Sequence, residues 1–277
     1  MDNYLRFESS IHPIYDESEE DLCLIYKDNK LIAKNVDNQV KLLRGNDLAK
    51  LNPNLQYIDC FGGFDGVNCY KAEIRGDYVI PSGYEEYDLK SLTLLLEKEV
   101  FLIAAKGLLL LNWEKTHKYC GVCGHTMERK DSLRERALIC KHCGYTTWPR
   151  TSPAIIVAVT KGDKLLLAHN RNFPDGIYSV IAGFVELGET FEQCVRREVY
   201  EEVGIEIDKI KYFGNQPWPF PNSMMIAFTA EYADGDIKED KDEIIHADWY
   251  SKEEVSGMYK ESKSISSALI KWFIKTH

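Results

Sequence analysis

The chain has 277 residues, 44% of them hydrophobic, and a formal net charge of −10, enough apolar material for two or three separate cores. The acidic surplus argues against a broad nucleic-acid footprint, because neutralising phosphates needs clustered lysine and arginine. The longest apolar stretch, Phe101 to Leu111, is short and interrupted by Lys106 and Gly107, which argues against a membrane span. With no apolar N-terminal segment behind basic residues, the expected location is cytoplasmic.

In chain order, Asp21 to Tyr26, Leu31 to Lys34, Tyr57 to Cys60 and Cys69 to Ile74 read as short strands, with Phe61 to Gly66 as a glycine-containing turn. Leu89 to Trp113 reads as a helix. Gly62-Gly63 lacks a phosphate-loop context and no Gly-Lys-Ser/Thr occurs, so there is no ATPase signal. Taken alone, this region is silent on function. Cys23, Cys60, Cys69 and Cys194 show no ligand spacing and read as small, part-buried side chains.

Residues 115–150 reverse the global charge, with eight Lys or Arg against three acids, and a phosphorylated substrate would be steered there. The same segment carries Cys120-Gly-Val-Cys123 and Cys140-Lys-His-Cys143, separated by sixteen residues. Each pair presents two thiolates from a tight turn, and four together suit a structural zinc ion. A closed shell of four sulfurs leaves no position for water, so this zinc is expected to act through folding rather than chemistry. A redox pair would come singly, embedded in a βαβ unit, and disulfides are not expected in a reducing compartment. His125 and His142 lie in the segment, but four cysteines make them unnecessary as ligands.

Beyond the cysteines, Ala154 to Thr160, Lys164 to Ala168, Tyr178 to Gly183, Met224 to Glu231 and Ile245 to Tyr250 read as strands, and Ser264 to Lys275 has a helical apolar pattern. A sheet sandwiched by helices is the expected product. The predicted organisation is an N-terminal α/β domain at 1–114, a ribbon at 115–150 and a third domain at 151–277.

Within that last domain, residues 183–205 place Glu189, Glu198, Glu201 and Glu202 in one glycine-bounded loop and helix. Thr190 with Gln193 three residues on predicts a capping box, and Gly204 predicts the helix end. At about 100° per residue, Glu198, Glu201 and Glu202 share one arc, while Phe191, Val195, Val199 and Val203 recur beside it as a core flank. A solvated acidic face would explain the charge alone. Crowded carboxylates also suit hard divalent ions such as Mg²⁺ or Mn²⁺, which take phosphate oxygens as further ligands. Downstream, Asn215-Gln-Pro-Trp-Pro-Phe-Pro-Asn-Ser223 alternates three prolines with aromatics and predicts a rigid loop presenting Trp218 and Phe220, groups on which a flat base stacks.

The spacing Gly183, five residues, Glu189, seven residues, Arg197-Glu198, an aliphatic, one residue, Glu201-Glu202, one residue, Gly204, an aliphatic resembles the Nudix box without a departure. Together with the four cysteines and the Gln-Pro-Trp-Pro-Phe-Pro-x-Ser run, residues 115–250 resemble the NADH pyrophosphatase subfamily of Nudix hydrolases. The resemblance implies a Nudix α/β/α sandwich, a Cys₄ zinc ribbon and an N-terminal degenerate Nudix-like α/β domain. It implies that Glu198 and Glu202 are the principal ligands of Mg²⁺ or Mn²⁺, Glu201 a further ligand or base, and the Glu189–Arg197 ion pair a brace for the loop. The main-chain carbonyl of Ala182 would join the metal shell, with Glu243 as a late ligand from outside the box. Gln216, Pro217, Trp218, Pro219, Phe220, Pro221, Asn222 and Ser223 would shape the dinucleotide pocket, Phe184 would stack on a base, and Glu135 and Ser266 would be further contacts. A homodimer is implied, with Trp148 closing the partner's site.

Two positions depart from the subfamily pattern, Asn215 for the usual Ser and Trp148 for the usual Tyr; the second leaves selectivity at the nicotinamide end open. The activity implied is hydrolysis of NADH or NAD⁺ to AMP and nicotinamide mononucleotide, extending to NAD caps on RNA. An ADP-ribose or other nucleoside-diphosphate hydrolase is an alternative. A nucleotide sensor or RNA-binding regulator is another, although a pure binder has no need of the intact acidic set.

Overall fold

The computed structural model describes residues 6–51, 54–132 and 134–277, and their contacts separate into two units, 1–150 and 151–277. The first unit runs β1 (Phe7–Ser9), β2 (Leu22–Lys27), β3 (Lys30–Val36), β4 (Gln39–Arg44), α1 (Gly45–Leu51), β5 (Leu55–Phe64), β6 (Val67–Ile74), β7 (Tyr84–Tyr87), α2 (Leu92–Leu95) and α3 (Lys98–Thr116). Its strands form one seven-stranded sheet in the order β1-β5-β6-β2-β4-β3-β7.

Two expectations change here. The turn expected over Phe61–Gly66 is confined to Asp65 and Gly66, both in the left-handed region at φ 51° and 82°, while Phe61 to Phe64 continue β5 as buried strand. The expected helix Leu89–Trp113 breaks at Leu96 and Glu97, whose ψ values of 153° and 150° are extended. This break leaves Leu94 and Leu95 exposed while Leu92 and Leu96 are buried. The glycine that interrupts the apolar stretch has a packing reason. A Cβ on Gly107 would lie 2.7 Å from the Tyr26 hydroxyl, which is buried and donates to the Ala104 carbonyl at 2.5 Å.

The unit continues into a three-stranded ribbon of β8 (Glu128–Arg129), β9 (Leu138–Ile139) and β10 (Thr146–Thr147), ordered β10-β9-β8. Charge ties it to β5 and α3: Arg129 bonds Asp59 at 2.7 Å and Glu114 at 2.9 Å, and Arg136 pairs with Asp59. Glu114 also accepts from the fully buried Lys71 at 2.7 Å. Removing one member of such a network strands a buried charge, a change that typically costs about 3–5 kcal/mol.

The second unit contains β11 (Ser152–Lys161), β12 (Lys164–Asn170), β13 (Ile181–Phe184), α4 (Phe191–Val203), β14 (Glu206–Trp218), β15 (Ser223–Asp234), β16 (Ile244–Ser251), α5 (Lys252–Met258) and α6 (Ile265–Thr276). The sheet order is β14-β15-β11-β12-β16, with β13 also paired to β11. The central strand β11 is buried on both faces. Ile155, Val157 and Val159 pack with Val195, Val199 and Val203 of α4, while Ile156 and Ala158 pack with Val255 of α5 and Leu269 and Phe273 of α6. This is the expected α/β/α sandwich. Among the described residues, no helix is long and apolar enough to cross a membrane.

Candidate active site

Helix α4 is specified at both ends as its sequence predicts. Thr190 Oγ1 accepts from the Gln193 amide at 3.2 Å and Gln193 Oε1 accepts from the Thr190 amide at 2.8 Å, and Gly204 closes the helix at φ 72°. Its core flank differs at one position. Val195, Val199 and Val203 are fully buried, but Phe191 is exposed and Cys194 takes the inward place, because β13 crosses over the first turn and its Phe184 carbonyl accepts from Cys194 Sγ at 3.4 Å.

The glutamates divide around Arg197. Its guanidinium holds Glu189 through two bonds of 2.6 and 2.9 Å, Glu198 at 2.8 Å and Glu201 at 2.9 Å, and the Phe184 carbonyl at 3.0 Å. These bonds fasten the loop before α4 to the helix, and hydrogen bonds from Arg197 and then the Glu186 amide hold the Glu189 carboxyl down to about 2. Glu202 has no such partner. Its side chain is buried, no described group donates a hydrogen bond to its carboxylate, and burial, followed by the charges of Glu198, Glu243, Asp240 and Glu201, pushes its pKa up to about 8. Burial also raises Glu198, against the lowering effect of Arg197. The three box carboxylates therefore do not share one solvated face, since Glu201 is exposed while Glu202 is buried.

Asp240, which the sequence reading did not single out, joins this acidic group from the loop before β16. Among the described residues, three or more His, Cys, Asp or Glu ligand atoms come mutually within 4.8 Å only in groups built on the ribbon cysteines; Arg197 draws two of the box carboxylates to itself. The donor set nonetheless fits a divalent cation. A buried carboxylate with no donor, surrounded by four others, is balanced by a hard ion with oxygen preference.

On the α5/α6 face of the same sheet lies a cavity of about 480 Å³, bordered by Tyr178, Ser179, Ala182, Gln216, Trp218 and Ser266. Ala182 lines this cavity from β13, while the next residue, Gly183, turns to the α4 face and touches Glu198. The segment expected to be a rigid loop is strand through Trp218, with Pro217 opposite Met224 and Trp218 opposite Ser223. Edge position explains this, because β14 ends the sheet and an edge strand tolerates proline where an inner strand does not. Only Pro219, Phe220, Pro221 and Asn222 form the turn.

Gln216, expected to face substrate, uses its amide within the chain: Nε2 donates to the Lys263 carbonyl at 2.8 Å and Oε1 accepts from the Ile265 amide at 2.6 Å. It thereby fixes the start of α6 as one wall of the cavity. Trp218 and Phe220 pack edge to face at 5.4 Å, the Ser152 amide donates to the Asn222 carbonyl at 2.9 Å, Ser223 is buried, and Ser266 and Ser179 share a 2.8 Å hydroxyl contact. Phe184 leaves its ring half exposed. Asn215 donates to the Tyr212 hydroxyl at 2.5 Å.

The remaining predicted contacts belong to the first unit. Trp148 Nε1 donates to Glu135 Oε2 at 2.6 Å, and Glu135 Oε1 accepts from Lys130 at 2.5 Å. In the ribbon, sulfur–sulfur separations of 3.4 to 3.6 Å link Cys120, Cys123, Cys140 and Cys143. The two knuckles repeat one geometry: Gly124 and Gly144 return hydrogen bonds to the Cys120 and Cys140 carbonyls at 2.9 and 2.8 Å, with φ of 74° and 78°. Such a sulfur set fits zinc. His125 and His142 stack on each other at 3.7 Å.

The NUDIX domain family matches residues 149–273. A protein of Erwinia tasmaniensis named NAD-capped RNA hydrolase NudC is 46% identical over 182 residues, 65% of this chain and 69% of that protein. This chain belongs to the Nudix family, in its NudC-type branch. Proteins of the same name from Klebsiella pneumoniae and Haemophilus influenzae are 46% and 49% identical over 59% and 61% of this chain. The matched stretch spans 64% and 65% of those two relatives. A Nudix hydrolase structure from Nitrosomonas europaea superimposes with a TM-score of 0.48 at 20% identity, covering 57% of this chain and 90% of that one. In this Nudix chain the box glycine Gly183, the Glu189–Arg197 pair and the capped helix meet at one place, through the contacts of Glu198 with Gly183 and Arg197.

Proposed function

We propose that this chain hydrolyses the pyrophosphate of NADH or NAD⁺, giving AMP and nicotinamide mononucleotide, and that NAD caps on RNA are a second form of the same substrate. The observation that carries the proposal is Glu202: a buried carboxylate to which no described group donates, under the charges of four others, on a sheet whose other face carries a cavity of about 480 Å³. The name borne by the similar proteins, NAD-capped RNA hydrolase NudC, supports the same substrate class.

In this reading Glu198, Glu202 and Glu243, with Glu201 and the Ala182 carbonyl, hold Mg²⁺ or Mn²⁺. When bound, the ion supplies Lewis-acid polarisation of the phosphoryl oxygens and lowers the pKa of water. The protein's own part is positional. Arg197 fixes the loop and two of the carboxylates, Gln216 fixes the α6 wall, and Trp218 with the exposed Phe184 ring offers aromatic surface to a base. Water forms the new bond to one phosphorus, the bond from that phosphorus to the bridging oxygen breaks, and the bridging oxygen leaves on the other mononucleotide.

Zinc in the four-cysteine ribbon would be structural. The assembly proposed is a cytoplasmic homodimer in which Trp148, braced by Glu135, faces the partner's nicotinamide end. Product analysis on NADH, NAD⁺, ADP-ribose and NAD-capped RNA tests the proposal.

A further inference from the structure

We infer that Asp240 and Arg171 are positioning residues whose shared task is to hold Glu243 toward Glu198 and Glu202, an inference that rests on the hydrolase reading above. Glu243 is exposed and its charge acts on both Glu198 and Glu202. Like charges repel, so before any cation binds, nothing in the Glu243 side chain itself keeps it on this side, and its place depends on the backbone that carries it. The loop that bears it is clamped from two sides.

From the helix side, the Asp240 amide donates to the Glu202 carbonyl at 3.2 Å. The Asp240 carboxylate in turn accepts from the Glu243 amide at 3.1 Å and the Ile244 amide at 2.8 Å. One residue thereby links the end of α4 to the backbone of Glu243. From the sheet side, Arg171 stands directly after β12. Its amide donates to the Glu243 carbonyl at 2.8 Å, and its guanidinium donates to the Asp242 carbonyl at 2.9 Å and the Lys241 carbonyl at 2.6 Å. No described carboxylate pairs with this guanidinium. A guanidinium placed among acids yet bonded to two successive carbonyls, with its own backbone amide on the third, is a backbone clamp, and its planar fork is what a lysine cannot reproduce.

A double-mutant cycle on substrate-free full-length protein tests this, reading Mn²⁺ binding by electron paramagnetic resonance alongside kcat for NADH. Glu243→Gln is expected to weaken Mn²⁺ binding, and Asp240→Ala to weaken it about 10-fold or more, the usual scale for a group that supports a ligand. Adding Asp240→Ala to Glu243→Gln should produce no further loss, because Asp240 acts through Glu243. Asp240→Asn, which keeps an acceptor oxygen, should recover most of the binding, and Arg171→Lys, which keeps the charge, should not. Circular dichroism of each variant separates misfolding from displacement, and Asp240→Asn with Arg171→Lys carry the test if Asp240→Ala does not fold.

Additive losses in the cycle, or wild-type Mn²⁺ binding by Asp240→Ala and Arg171→Lys, would overturn the clamp. Unchanged binding by Glu243→Gln would remove Glu243 as a ligand and the clamp with it. Turnover of NADH by the unmodified chain reports on the hydrolase reading separately.

Discussion

The carboxylate of Glu198 lies directly against the α-carbon of Gly183, where any Cβ would overlap it. Strand β13 and helix α4 meet at this contact, so the first glycine of the box is required for space rather than for backbone freedom; it is not among the residues with positive φ. Gly183→Ala should therefore leave the fold intact, displace Glu198 and lower kcat by about 100-fold, the scale for a catalytic group moved by about 1 Å. Steady-state kinetics beside circular dichroism check this; wild-type kcat in the alanine variant would refute the contact's importance.

Glu202→Gln should retain fold and dinucleotide binding while losing about 10²-fold or more in turnover, because it removes charge at constant volume. Equal turnover at saturating metal would contradict the assignment.

The same residue makes a prediction about pH. Its folded pKa of about 8 lies above the ordinary glutamate value of about 4.3. Below the ordinary value the carboxyl is protonated in both states and costs nothing. As pH rises from there toward about 8, the unfolded chain releases a proton that the folded chain keeps, so stability without added Mg²⁺ or Mn²⁺ should fall across that window and then level. Glu202→Gln should flatten this slope and melt higher than the wild type at pH near 8. Thermal unfolding across the window, with and without Mg²⁺, reads it directly. A parallel slope in wild type and variant would show that Glu202 is not the group responsible.

Much of the site was legible because its determinants are local. The Thr190–Gln193 capping box, the Gly204 terminus and the Cys-x-x-Cys turns depend on residues within a few positions of one another, so spacing alone specifies them. The Glu189–Arg197 pair lies within the same loop and helix. What the sequence did not disclose depends on tertiary neighbours. Phe191 fits the apolar period yet faces solvent because the crossing strand places Cys194 inward. The prolines from Pro217 onward look incompatible with a strand, and only the edge position of β14 makes Pro217 acceptable there. Gln216 and Asp240 took roles from backbone groups distant in sequence, Lys263 and Ile265 for one and Glu202 for the other, which no local pattern reveals.

The ribbon should carry one zinc per chain after reductive purification and dialysis. Cys120→Ser should lower the melting temperature rather than selectively alter kcat, since the four sulfurs close the shell. Elemental analysis finding no zinc would remove this reading.

Trp148→Ala should weaken use of NADH more than use of a dinucleotide lacking nicotinamide, by roughly 5-fold to 150-fold, the span of a lost base stack of about 1–3 kcal/mol. Mixing inactive Glu202→Gln chains with Trp148→Ala chains should restore activity if the sites are shared. No recovery after verified subunit exchange would place Trp148 outside the partner's site.

The most direct test is product analysis by mass spectrometry on NADH, NAD⁺, ADP-ribose and NAD-capped RNA, each with Mg²⁺ or Mn²⁺. The account predicts AMP and the reduced nicotinamide mononucleotide from NADH, metal-dependent and absent in Glu202→Gln. Hydrolysis of ADP-ribose with NADH untouched, or tight NADH binding with no product under either metal, would contradict it.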